Sequence, residues 1–181
     1  MMKIKKTAET AAFYICSFFV YCVIGWIYEV IVMYSRGFGF VNRGYLHGCY
    51  IPIYGFCSLF FLIVLSGIRK RKFTAKPFVI FFSVLILSSL IEYSASYILE
   101  KVFNLRLWNY SDYKYNLNGR IALESSVYFG IGGLIIFYVV QPLLDKLRTR
   151  INPNAIIISG ILIAAVMISD FIITVTGTES W

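Results

Sequence analysis

A chain of 181 residues that is 59% apolar and only 14% charged has too little polar surface for a water-soluble fold of its size; ordinary globular domains run near 45–50% apolar and about 25% charged. Its formal net charge of +8 does not point to nucleic acid, because the basic residues sit in short gaps between apolar runs rather than on one face with polar or aromatic readers between them. A lipid bilayer, which solvates apolar side chains directly, accommodates this composition.

Lys3, Lys5 and Lys6 precede a long apolar stretch, as in a signal peptide. The stretch is too long for a signal h-region and no small-residue cleavage site follows, so it reads as a retained first span over 11–34. Within it Tyr21, Gly25 and Glu29 recur every four residues and share one helical face. The loop that follows, 35–49, carries Arg36, Arg43, His47 and Cys49. His47 is the only histidine and there is no CxxC, so the chain has no metal-site pattern and no cofactor is expected. Cys16, Cys22 and Cys57 lie inside apolar runs and read as small apolar fillers.

The second expected span is 50–68. Pro52 in its first turn, with Tyr54 and Gly55, suits a helix start; the rival reading is a re-entrant lip. A basic run follows, Arg69-Lys-Arg-Lys72 with Lys76, and then a third span over 78–99. There Ser88, Glu92, Ser96 and Glu100 recur every four residues, a stripe that lipid would not tolerate and that therefore faces protein or a wet cavity. The loop 100–120 is rich in Trp, Tyr and Asn. Trp108, Tyr110, Tyr113 and Tyr115 suit an interfacial aromatic belt. The fourth span, 121–144, opens with Glu124 and carries Gly130, Gly132 and Gly133, which read as close helix contacts rather than a nucleotide loop. Ser125 and Ser126 lack a neighbouring base and propose no nucleophile. The fifth span is 155–176 and contains Asp170.

The expected fold is therefore all-α, a single polytopic membrane domain over 1–181. Five transmembrane helices place the N-terminus in the cytoplasm and the C-terminus outside. That orientation puts eleven lysines and arginines on the cytoplasmic side and six outside. It also puts every intramembrane acid (Glu29, Glu92, Glu124 and Asp170) in the outer part of the bilayer, where buried carboxylates want cationic partners. Arg43 and Arg120, in outer loops, are the nearest. The expectation is an outward-facing polar pocket built from these acids and closed by the two arginines; its rival is an ion-pair network that staples the helices together. His47 beside Arg43 is a candidate proton-transfer group.

Several of these residues fall in ordered motifs: Gly25-Trp-Ile-Tyr-Glu29, Asn42-Arg-Gly-Tyr-Leu-His-Gly48, Ile51-Pro-Ile-Tyr-Gly55, Ile91-Glu-Tyr93, Leu99-Glu100, Trp108-Asn-Tyr-Ser111 and Asn116-Leu-Asn-Gly-Arg-Ile121. In these the chain resembles the bacterial membrane family called Putative ABC-transporter type IV, or CmpB-like, whose members carry the label ABC transporter permease. The resemblance covers about 13–141. Two positions depart from its pattern: Cys49 stands where a proline usually follows the glycine, and Asn109 where an aspartate is usual. Tyr54, Tyr93, Glu100, Trp108 and Asn116 complete the candidate pocket residues with Glu29, Arg43, His47, Glu92, Arg120, Glu124 and Asp170; the resemblance itself carries over no substrate and no catalytic residue.

The functional expectation is a permease-like transport component in the bacterial cytoplasmic membrane, self-associating, because one five-helix unit is small for enclosing a solute path. No Walker-type loop occurs, so any ATPase is a separate subunit. Against the permease label, the cytoplasmic loops are short and simple. The alternatives are an enzyme acting on a lipid or lipid-linked headgroup at the outer leaflet, with carboxylates as acid and base and arginines on phosphate, and a non-catalytic assembly or sensing factor. Transport, rather than enzymatic activity, is the expectation.

Overall fold

Peptide groups in a lipid environment must find their hydrogen bonds within their own segment, so apolar runs of this length fold as helices. A computed structural model describes residues 2–106 and 108–177. Met1, Leu107 and residues 178–181 lie outside the described residues, as do the side chains of residues 2–4 and Lys70; the topology signals at Lys3 and Lys70 fall there. Among the described residues seven α-helices follow in order: α1 (Met2–Ser35), α2 (Pro52–Val64), α3 (Ser66–Lys70), α4 (Lys76–Phe103), α5 (Leu123–Ile135), α6 (Gln141–Arg148) and α7 (Pro153–Gly177). Between α4 and α5 lies an antiparallel ribbon of two short strands, β1 (Asn116–Leu117) and β2 (Ile121–Ala122), paired Asn116 to Ala122 and Leu117 to Ile121.

Among the described residues four helical stretches are long and apolar enough to cross a membrane: Lys5–Ser35, Lys76–Phe103, Leu123–Arg148 and Pro153–Gly177. The second expected span differs. It is a 13-residue apolar helix, α2, followed across Leu65 by the five-residue α3. Gly67, a weaker helix former than the residues before it, follows the break. The hydrogen-bond ladder still passes through the junction, with Leu65 N–H donating to Phe61 (2.9 Å) and Arg69 N–H to Leu65 (2.9 Å). The fourth span also differs. Ile121 and Ala122, expected to open it, belong to β2. Downstream, Ile136–Val140 widens to a π-helix just before Gln141-Pro142. Pro142 has no N–H and its ring crowds the carbonyl four residues back, which disfavours an unbroken α ladder at this point.

The chain divides into two compact units, 1–60 with 141–181 and 61–140. In the first, α1 lies along α7. Gly160 lets Ala12 approach so closely that an added Cβ would sit 2.7 Å from the alanine methyl, and Ala12, Phe13 and Ile156 form a buried cluster flanked by Leu144 and Ile157. A second cluster joins Cys22 of α1 to Leu46 and Tyr50 of the connecting segment. In the second unit α4 packs on α5 through two glycines of the expected contact stripe. A Cβ at Gly130 would meet Phe81 at 2.7 Å and one at Gly133 would meet Val84 at 2.8 Å, whereas Gly132 faces open space. Exposed Ile158, Ile161, Leu162, Val166, Phe171 and Ile173 cover α7 with apolar surface, which suits lipid and not water.

Candidate functional site

Each unit carries its own set of polar contacts around the acids. In the first unit the segment between α1 and α2 folds back on α1. Asn42 accepts a hydrogen bond from the Trp26 indole (2.6 Å), and Ile51 N–H donates to the Cys22 carbonyl (3.0 Å). Leu46 and Tyr50 are buried beneath it. This fold brings Arg43 to Glu29, with Nε 3.6 Å from Oε2, while the Tyr54 hydroxyl of α2 donates to Oε1 of the same carboxylate at 2.6 Å. Gly25 makes room for the Tyr54 ring, so Gly25 and Glu29, one turn apart on α1, both meet Tyr54. The guanidinium of Arg43 is almost half exposed.

The same segment closes on Asp170 of α7. Asp170 accepts from the backbone N–H of His47 (3.3 Å) and of Gly48 (3.1 Å), from the Tyr50 hydroxyl, and stands 2.9 Å from His47 Nδ1. An intramembrane acid was expected to take an arginine; this one is satisfied by backbone amides, a phenol and an imidazole. Tyr50 is held un-ionised well above the usual phenol range, by burial first and then by its bond to Asp170.

In the second unit the Ser88–Glu100 stripe of α4 faces protein. Ser88 and Ser96 are buried. Glu92 accepts from the Tyr110 hydroxyl (2.8 Å), which also lies 3.2 Å from Ser125 Oγ. Arg120 takes Glu100 rather than Glu92 as its ionic partner, at 2.7 Å, and its Nη1 also reaches Ser96 Oγ at 3.1 Å. Its guanidinium carbon lies 5.9 Å from the Tyr93 ring centroid and 5.5 Å from that of Tyr97, so the cation, only 11% exposed, rests between aromatic faces and a carboxylate.

The ribbon positions Arg120. Asn118 and Gly119 both have positive φ (55° and 64°), and Arg120 N–H donates to Leu117 (3.0 Å), the arrangement of a type I′ turn. Asn116 braces the turn by accepting from Gly119 N–H (2.9 Å) and donating to the Tyr113 carbonyl (2.7 Å). Trp108 donates to the Arg120 carbonyl at 2.9 Å. Asn109 accepts from Ser111 N–H (3.1 Å), Ser111 Oγ (2.7 Å) and Arg106 (3.0 Å). All three use its amide oxygen as an acceptor, a role a carboxylate would fill equally, so the departure from aspartate leaves this turn chemically intact.

Glu124 stands apart. It opens α5 with its side chain exposed, and no ion pair or hydrogen bond to it is present among the described residues. Sequence reasoning missed two networks. Arg148 of α6 grips Glu9 of α1 through Nε (2.7 Å) and Nη2 (2.8 Å) and bonds Thr10 (2.7 Å). Buried Gln141 accepts from the Tyr21 hydroxyl and donates to Asp145 (2.7 Å). Neither pairing has a local signature, since the partners lie more than a hundred residues apart. The hairpin did have one, the Asn118-Gly119 dipeptide.

No group of three or more metal-ligating side chains occurs among the described residues. A family model described as Putative ABC-transporter type IV matches residues 16–175. No curated protein and no solved structure matches the chain.

Proposed function

Because the chain belongs to the Putative ABC-transporter type IV family, we propose that it is a permease-like component of a membrane transport system, resident in the bacterial cytoplasmic membrane. The family match over residues 16–175 carries this reading. Four long apolar helices support the multi-pass character. The fifth crossing is assigned to α2 with α3, whose 19 residues from Pro52 to Lys70 reach ~28 Å when helical, close to the ~30 Å hydrocarbon core. With that crossing the N-terminus lies inside and the C-terminus outside, and the acids gather on the extracytoplasmic side.

In this reading Glu29 with Arg43 and Tyr54, Asp170 with His47, and Glu92, Glu100 and Arg120 with Tyr93, Trp108 and Asn116 are the polar groups that meet the transported solute; Glu124 adds an exposed carboxylate. The motor is a separate ATPase subunit, and further copies of the chain complete the path. The test is solute uptake and efflux profiling in a deletion strain complemented with the wild type, Glu92→Gln or Arg43→Ala, alongside purification in native lipid and mass spectrometry of what accompanies the protein. Loss of a transport phenotype in both variants, with an ATPase copurifying, is the expected result. Unchanged transport in both variants would remove these residues from any solute path.

A further inference from the structure

His47 and Asp170 lie 123 positions apart in sequence, yet the fold sets the imidazole Nδ1 2.9 Å from Asp170 Oδ1. The second neighbour of Nδ1 is Thr174 Oγ1, at 3.0 Å. That hydroxyl spends its own proton on the Asp170 carbonyl, one helical turn back, at 2.8 Å. Both atoms beside Nδ1 are therefore acceptors, a carboxylate oxygen and a committed hydroxyl oxygen, and Nδ1 must be the donor. A neutral imidazole has one N–H, so its lone pair is on Nε2. The His47 side chain is 69% exposed, whereas that of Asp170 is 13% exposed and fixed by three other donors, the N–H groups of His47 and Gly48 and the Tyr50 hydroxyl. The ring is thus held at its inner edge and open at its outer one.

We propose that His47 is a proton-accepting site, with Asp170 as its positioning residue. Asp170 keeps the ring proton on Nδ1, so that Nε2 takes a second proton from a hydroxyl-bearing ligand or from hydronium. The proton moves from the donor oxygen to Nε2; the donor keeps its electron pair, and the new imidazolium charge lies against the Asp170 carboxylate. Release from Nε2 restores the neutral ring. This is the arrangement by which a buried carboxylate makes an imidazole a directed base. Among the described residues, the titratable groups packed on this cluster are Asp170 from α7, Tyr50 ahead of α2 and, against Tyr50, the Cys22 thiol of α1. Glu29 on α1 is engaged by Tyr54 and Arg43. The proposal stands on this geometry alone and does not depend on the transport reading.

His47 is the only histidine, so histidine labelled with nitrogen-15 reports this one ring in the full-length protein in phosphatidylethanolamine–phosphatidylglycerol nanodiscs. The expected spectrum of the neutral ring has the proton on Nδ1 and a bare Nε2. Asp170→Asn is expected to shift the population toward the Nε2–H form. A wild-type ring with its proton on Nε2 overturns the proposal. The wild-type spectrum decides this by itself if Asp170→Asn does not fold.

Discussion

Arg120 meets four neighbours at once: Glu100, Ser96 and the faces of Tyr93 and Tyr97. Its planar guanidinium suits this surround, and a lysine ammonium, compact and strongly hydrated, does not. Arg120→Lys keeps the charge but loses the flat cation that lies against the Tyr93 and Tyr97 rings. The expected cost is about 1–2 kcal/mol, seen as a lowered melting temperature in detergent. Combined with Glu100→Gln the two losses should not add, because the two residues are in direct contact. At Glu9 two bonds from Arg148 tie α1 to α6. Glu9→Gln leaves one of the two guanidinium bonds without its charged acceptor and is expected to cost about 1–3 kcal/mol, read as a lowered melting temperature in detergent.

At the scale of elements, α4 and α5 owe their close approach to Gly130 and Gly133. The α-carbon surface of a glycine admits a neighbouring side chain where a Cβ would collide. Gly133→Val would drive two γ-carbons into Val84 and is expected to cost about 1–3 kcal/mol through overpacking. Gly132→Ala, which meets nothing within 4 Å, should be neutral or slightly stabilising, because alanine is the better helix former. Thermal melts of the two variants side by side test whether position, rather than glycine loss as such, decides. The π-helical turn at Ile136–Val140 belongs to this scale too. It lies just ahead of Pro142, which disfavours an unbroken α ladder; Gln141, which opens α6, is buried and meets Tyr21.

For the whole molecule the decisive quantity is the number of crossings. Reporter fusions after Met33, Ile68, Leu99 and Leu147 are expected to read outside, inside, outside, inside. If α2 with α3 does not cross, the last three readings reverse, and the Ile68 fusion alone separates the two topologies.

The helical class and the positions of the four helices long and apolar enough to cross a membrane were legible in the sequence, because a bilayer core imposes a minimum length of apolar residues that composition alone reveals. So was the inward stripe Ser88–Glu92–Ser96–Glu100, since a period of four on a helix requires no knowledge of its neighbours. The ribbon had a local signature at Asn118-Gly119, which the reading of 100–120 as an aromatic loop did not use. What the tertiary structure alone decided is who meets whom: Arg120 with Glu100 and not Glu92, Asp170 with His47 and two backbone amides and no arginine, Arg148 with Glu9. Periodicity orients a residue around its own helix axis, but partners far apart in sequence are chosen by the turns and close glycine contacts that set one segment against another.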